Sequence, residues 1–143
     1  MTGIKASEVS AVAVADQFGR TAKRLGRAFD DVLARHGVTT PRARVVLEVA
    51  ERGPSRLTAI AAAIGIAQGT ASEMADALVR EGLLARREDP SDRRAILLEA
   101  TPLGLAQAEE WRGAYEQAAA DLFQPLTPAQ RTQLLRLLEA LEP

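Results

Sequence analysis

Apolar residues recur at intervals of three and four along most of the chain, the spacing that lines one face of an α-helix. From about Val9 to Arg35 that face is made by Phe18, Ala22, Leu25, Phe29, Val32 and Leu33, and Gly37 ends the segment. Thr40-Pro41 opens the next helix. The threonine is expected to cap it, and proline at a first helical position loses no needed N–H. Val45, Val46 and Val49 supply its stripe, and Arg52-Gly53-Pro54 stops it. Leu57 to Gly65 reads as a short helix closed by glycine, with a turn at Ile66-Ala67. A further helix from Gln68 to Glu81 carries Ala71, Met74, Ala75, Leu78 and Val79 on one face, and Gly82 ends it. Two short helices around a tight glycine-bearing turn form a helix-turn-helix pattern.

After Gly82 the period changes. Leu83–Glu88 and Arg94–Ala100 read as extended segments, and the turn-forming run Asp89-Pro90-Ser91-Asp92-Arg93 lies between them. That is the signature of a β-hairpin. Thr101-Pro102 then starts a long helix running to about Phe123. Thr127-Pro128-Ala129-Gln130 starts the last helix, with Gln130 placed to complete a capping box and a leucine-rich stripe at 134, 135, 137, 138 and 141. The chain is therefore expected to be mostly α with a small β-hairpin. Its first and last two helices carry more apolar surface than a small winged core can bury, which predicts a homodimer.

Composition narrows the chemistry. Among 143 residues the aromatics are few, Phe18, Phe29, Trp111, Tyr115 and Phe123, so the core must be aliphatic. There is no cysteine, which excludes disulfides and a thiol-based redox switch, and the single histidine, His36, cannot by itself build a metal site. His36 reads as a helix-terminal residue favoured by the helix dipole. Neither a metal nor a cofactor is expected. No Cys-His pair, no Ser-His-Asp set around the one histidine and no Gly-rich phosphate loop is present, so an enzyme is not expected. No apolar run approaches the roughly 18 residues that span a bilayer. The N-terminus lacks a signal-peptide pattern, so a cytoplasmic location without membrane contact is expected. The net charge is −1, with an excess of two basic residues over positions 1–40, balance over 41–100 and an excess of three acidic residues over 101–143. Basic charge is concentrated at Arg86, Arg87, Arg93 and Arg94, and a small cluster aimed at phosphates can outweigh the total.

The stretch Asp89-Pro90-Ser91-Asp92-Arg93-Arg94-Ala95-Ile96-Leu97-Leu98-Glu99-Ala100-Thr101-Pro102-Leu103-Gly104 resembles the wing signature of the MarR (multiple antibiotic resistance regulator) family. It combines an Asp-x-Arg turn, an apolar strand, and a helix start with threonine three residues before glycine. Residues 57–104 look like that family's winged helix-turn-helix core, and the flanking helices match its architecture. The resemblance implies a transcriptional regulator, expected to be a repressor relieved by a small ligand and to bind a pseudo-palindromic operator in double-stranded DNA as a homodimer. It also implies dimerisation helices at 1–36 and 101–143 around a DNA-binding domain at 37–100. The recognition helix would offer Gln68, Gly69, Thr70, Ser72 and Glu73, and the wing Arg86, Arg87, Asp92, Arg93 and Arg94.

Physical chemistry supports those assignments separately. Asp92, two residues before Arg94 in a tight hairpin, can hold its guanidinium by a bidentate pair. A fixed guanidinium at a hairpin tip suits a narrow minor groove, while a helix over 68–81 has the length to lie in a major groove. Trp111 and Tyr115, four apart, share a helix face. Their default role is packing, but their polar tips would also suit a pocket for an aromatic or amphipathic effector between the dimer and DNA lobes, where the resemblance places effectors. The sequence departs from the family at Ala67, where a capping serine is usual, and at Glu73 and Ala77, where arginine is common. These departures bear on affinity and on the DNA sequence read. They sustain the alternative of a winged-helix dimer that binds DNA weakly and acts through a protein partner.

Overall fold

A computed structural model describes residues 8–143. Nine elements follow one another: α1 (Ala11–Ala34), α2 (Thr40–Arg52), β1 (Ser55–Arg56), α3 (Leu57–Ile64), α4 (Gln68–Arg80), β2 (Leu84–Asp89), β3 (Asp92–Ala100), α5 (Pro102–Leu122) and α6 (Pro128–Glu139). The mostly helical reading and the β-hairpin both hold.

The stop signals act as glycine predicts. Gly37, Gly53, Gly65 and Gly82 all have positive φ, the region where a side chain is strained and glycine is not. Thr101 caps α5 by accepting from the Gly104 N–H, and Thr127 and Gln130 form the full capping box of α6. The start of α2 differs from expectation. Its N-cap position is Thr39, which makes no side-chain cap bond. The Thr40 hydroxyl donates instead to the Asp30 carboxylate on α1. A hydrogen bond to an ionised acceptor is stronger than one between neutral groups, so the hydroxyl is recruited away from its own helix.

The hairpin gains a third strand that the periodicity does not reveal. β1 pairs antiparallel with β3, Ser55 opposite Leu98 and Arg56 opposite Leu97, giving the sheet order β1-β3-β2. A two-residue strand is too short to show alternation. β2 and β3 pair regularly from Leu84 opposite Ala100 to Glu88 opposite Ile96, after which the register shifts and Asp89 faces Asp92. Arg93, Arg94 and Ala95 thus fall in an irregular stretch of β3, and such bulges re-aim side chains.

One aliphatic core ties the sheet to the helices. Leu33 of α1, Val45, Val46 and Val49 of α2, Ile60 of α3, Leu78 of α4, Leu84 of β2, Leu98 of β3 and Trp111 of α5 are all buried in it. The start of α5 is pressed against the residue before β2. A Cβ on Gly104 would lie 2.0 Å from the Leu83 carbonyl oxygen, so only glycine fits there. The Thr101 hydroxyl donates to the Gly82 carbonyl oxygen, and the Thr101 N–H donates to that of Leu83, 3.1 Å away. α6, by contrast, buries no residue. Its Leu135 and Leu137, and Leu141 just beyond it, are at least 57% exposed, as are Val9 and Val12 at the other end of the chain.

Candidate nucleic-acid interface

The helix-turn-helix is formed by α3 and α4, joined through Gly65 in a left-handed conformation. Ala71, Ala75 and Leu78 bury one face of α4, while Gln68, Gly69, Thr70 and Glu73 are exposed and Ser72 is half-buried. Ala67 occupies the N-cap position in the extended backbone geometry of a cap, without a side-chain acceptor. The amide N–H groups of the first turn of α4 therefore keep no side-chain partner from the cap and remain available to an anion.

Behind this helix the wing is braced by a contact between residues far apart in sequence. Arg56 donates from Nε and Nη2 to a single Asp89 carboxylate oxygen at 3.1 and 2.9 Å. The other Asp89 oxygen accepts from the Ser91 backbone N–H at 2.9 Å and its hydroxyl at 2.7 Å. Those Ser91 hydrogen bonds, with the Arg56 pair behind them, pull the Asp89 carboxyl down to about 2. Asp89 is thus an ionised pin between β1 and the hairpin turn. It stood in the sequence as one turn residue among several. Arg56 showed no local signal, because the two are 33 residues apart.

The four clustered arginines divide into two pairs. Arg86 forms an ion pair with Asp76 of α4, and Arg87 with Glu99 of β3 at 3.3 Å. Arg93 and Arg94 are exposed and make no ion pair among the described residues. The expected Asp92–Arg94 guanidinium pair does not form. Asp92 accepts instead from the Arg94 backbone N–H at 3.0 Å, a local turn bond that competes for the same carboxylate. Its other oxygen stands 3.9 Å from Arg56. The carboxylate shapes the chain at Arg94 and leaves the guanidinium unoccupied.

The two aromatics of α5 separate. Trp111 is 4% exposed and belongs to the core, and it also lines a cavity of about 260 Å³ with His36, Arg42, Glu81 and Gln107. Tyr115 is outside that lining and stacks on Phe29 of α1, the ring centroids 4.5 Å apart. His36 reaches across to α5, its Nδ1 3.0 Å from Glu110 Oε1, so it ties two helices together as well as following α1.

Residues 38–96, from the approach to α2 through most of the wing, match the MarR family. Over that stretch the chain carries a MarR-type domain. The chain is 28% identical over 104 residues to the HTH-type transcriptional regulator YkoM of Bacillus subtilis, itself uncharacterised, across 73% of this chain and 68% of that protein. Its fold superposes on a MarR mutant from E. coli bound to operator DNA with a TM-score of 0.83, at 20% identity, covering 91% of this chain and 94% of the other. BpsR of Bordetella bronchiseptica, whose DNA binding is regulated by 6-hydroxynicotinic acid, is 29% identical with a TM-score of 0.80, covering 89% and 96% of the two chains. The family match, the fold and the Bacillus relative together mark a winged-helix transcriptional regulator with a MarR-type domain, not an enzyme. Among its described residues no helix is long and apolar enough to cross a membrane.

Proposed function

We propose that this MarR-family regulator acts in the cytoplasm as a homodimeric repressor, binding a pseudo-palindromic site in double-stranded DNA and releasing it when a small effector binds. In this reading residues 37–100 form the DNA-binding unit, and residues 1–36 and 101–143 pair with a second copy. The observation that carries the proposal is the division among the wing arginines. Arg86 and Arg87 are held by Asp76 and Glu99, while Arg93 and Arg94 stand exposed without a counter-ion in a bulged stretch of the hairpin. Gln68, Gly69, Thr70, Ser72 and Glu73 of α4 enter the major groove, where Glu73 accepts from a cytosine amine, and Arg94 enters the flanking minor groove. Arg86, Arg87 and Asp92 hold the wing in shape. Pairing through the exposed leucines of α6 and the exposed valines of α1 sets two recognition helices one turn of DNA apart, about 34 Å. BpsR supports effector control, since its DNA binding responds to a small aromatic acid.

The test is a salt titration of binding to duplex DNA. A protein that neutralises several phosphates loses affinity steeply as salt rises, with a slope of about −0.9 per phosphate contact. Binding that is weak and almost insensitive to salt would refute the proposal and favour action through a protein partner.

A further inference from the structure

A single guanidinium faces both carboxylates of the wing tip. Arg56 of β1 donates from Nε and Nη2 to one oxygen of Asp89, and its Nη2 also stands 3.9 Å from Asp92 Oδ2. Asp89 and Asp92 are opposite one another in the hairpin, just past the register shift. Like charges directly opposite across a strand pair repel. Among the described residues Arg56 is the only cation within ion-pair distance of either. Each carboxylate gives its other oxygen to a backbone N–H of the turn, Asp89 to that of Ser91 and Asp92 to that of Arg94. Arg93 and Arg94 follow Asp92 directly and have side chains long enough to turn back on it. Neither makes an ion pair among the described residues. The carboxylates that could claim them are already turned to a cation from another strand.

We propose that Arg56 is a positioning residue for DNA binding: by holding Asp89 and Asp92 it keeps them from capturing Arg93 and Arg94, whose charges stay free for the duplex. Arg56 acts through the two carboxylates and not by touching DNA. Without its cation, a wing arginine folds back onto Asp92 Oδ2 or onto the Asp89 oxygen that Arg56 vacates, and binding must first break that pair. Asp89 stays charged when Arg56 is removed. The Ser91 hydroxyl and N–H, which do not depend on Arg56, are the larger cause of its low pKa, about 2. The consequence for DNA rests on the reading above that the wing meets the duplex, whereas the capture within the free protein does not.

The test pairs a measurement on DNA with one on the free protein. Affinity for a short A·T-rich duplex is titrated against salt for wild type, Arg56→Gln and Arg56→Lys. The same Arg56→Gln change is also made in an Asp89→Asn/Asp92→Asn background, where the amide oxygens still accept the turn N–H bonds but carry no charge. Arg56→Gln should weaken binding about two- to fivefold, the scale of an exposed ion pair. The deficit should narrow as salt rises, because salt screens such a pair, whereas a loss through an unfolded fraction would not follow salt in this way. Arg56→Lys, which keeps a cation beside both carboxylates, should retain most of the affinity. In the Asn background Arg56→Gln should cost almost nothing. An equal cost in both backgrounds overturns the proposal, since Arg56 would then be meeting DNA itself, and so does an Arg56→Lys protein as weak as Arg56→Gln. In the free protein, modification of Arg93 and Arg94 by p-hydroxyphenylglyoxal, located by peptide mass spectrometry, should slow at one or both positions in Arg56→Gln. Rates unchanged at both overturn the capture. Should Arg56→Gln melt early, Arg56→Lys against Arg56→Gln within the Asn background carries the test: a difference there overturns the proposal, and equality supports it. Failure of the wild-type protein to bind the duplex overturns the DNA reading, while slowed modification would still leave the capture standing.

Discussion

Gly104→Ala and Gly113→Ala make the same chemical change on the same helix, and the structure assigns them opposite signs. In an open helix interior, alanine is favoured over glycine by about 0.5–1 kcal/mol, because the unfolded chain loses less freedom. Gly113 is exposed, with nothing within 4 Å of a built Cβ, so it should gain roughly that much. At Gly104 the new methyl would stand 2.0 Å from the Leu83 carbonyl oxygen, whereas ordinary contact begins at 3.4 Å. The obstacle is backbone and cannot rotate away. Leu83 joins α4 to β2 and accepts the Thr101 N–H, so relief must come from moving the start of α5 off the wing. Overpacking of this kind costs about 1–3 kcal/mol and sometimes more. It exceeds the propensity gain, leaving a net loss of about 1 kcal/mol or more. Urea unfolding at equal protomer concentration measures both variants, since association would otherwise shift the midpoint. A Gly104→Ala protein as stable as wild type would refute the reasoning, because it would mean that α5 is free to slide on the wing.

Four further outcomes are expected. Ala67→Ser should stabilise the chain by about 1 kcal/mol, because the backbone at Ala67 already has cap geometry and lacks only the acceptor, and an unchanged melting curve would count against this. Arg94→Ala should cost about 1–3 kcal/mol of DNA binding in a protein that melts normally, whereas Arg87→Ala, whose guanidinium is held by Glu99, should cost clearly less; equal losses would undo the division of the wing arginines. Asp89 has a depressed pKa, so the stability it contributes is complete above its ordinary value near 3.8 and is lost as pH falls through about 2. Asp89→Asn should therefore flatten the acid limb of the stability curve in that window, and melting scans of both proteins from pH 2 to pH 5 test it. Deleting residues 127–143 removes a helix that buries nothing within its own chain, and sedimentation at micromolar concentration should find the product monomeric or aggregated rather than dimeric.

Local chemistry was legible in the sequence wherever one side chain acts on its own stretch of backbone. The four glycines of positive φ, the capping box at Thr127–Gln130 and the cap at Thr101 could all be read from neighbouring residues. What could not be read is competition between partners distant along the chain. Thr40 has the side chain of a cap, but Asp30 of the preceding helix claims its hydroxyl. Asp92 and Arg94 are spaced as a pair, yet the nearer backbone N–H takes the carboxylate. Asp89 finds Arg56 across 33 residues, and Arg86 finds Asp76 on the recognition helix. Each outcome depends on which acceptor the fold brings into range, which periodicity does not encode.

The same logic recasts the two departures at the recognition helix. Ala67 withholds an acceptor from the first turn of α4, which leaves its N–H groups open to a phosphate at a cost in stability of about 1 kcal/mol. Glu73 sits exposed without an ion-pair partner among the described residues, so its charge is uncompensated where the proposal places DNA. The first change favours any DNA phosphate alike, and the second disfavours every base that cannot donate to a carboxylate. Acting together, they leave backbone affinity to the amides and the wing while making discrimination depend on Glu73. Glu73→Gln should consequently raise affinity for random duplex more than for the preferred site.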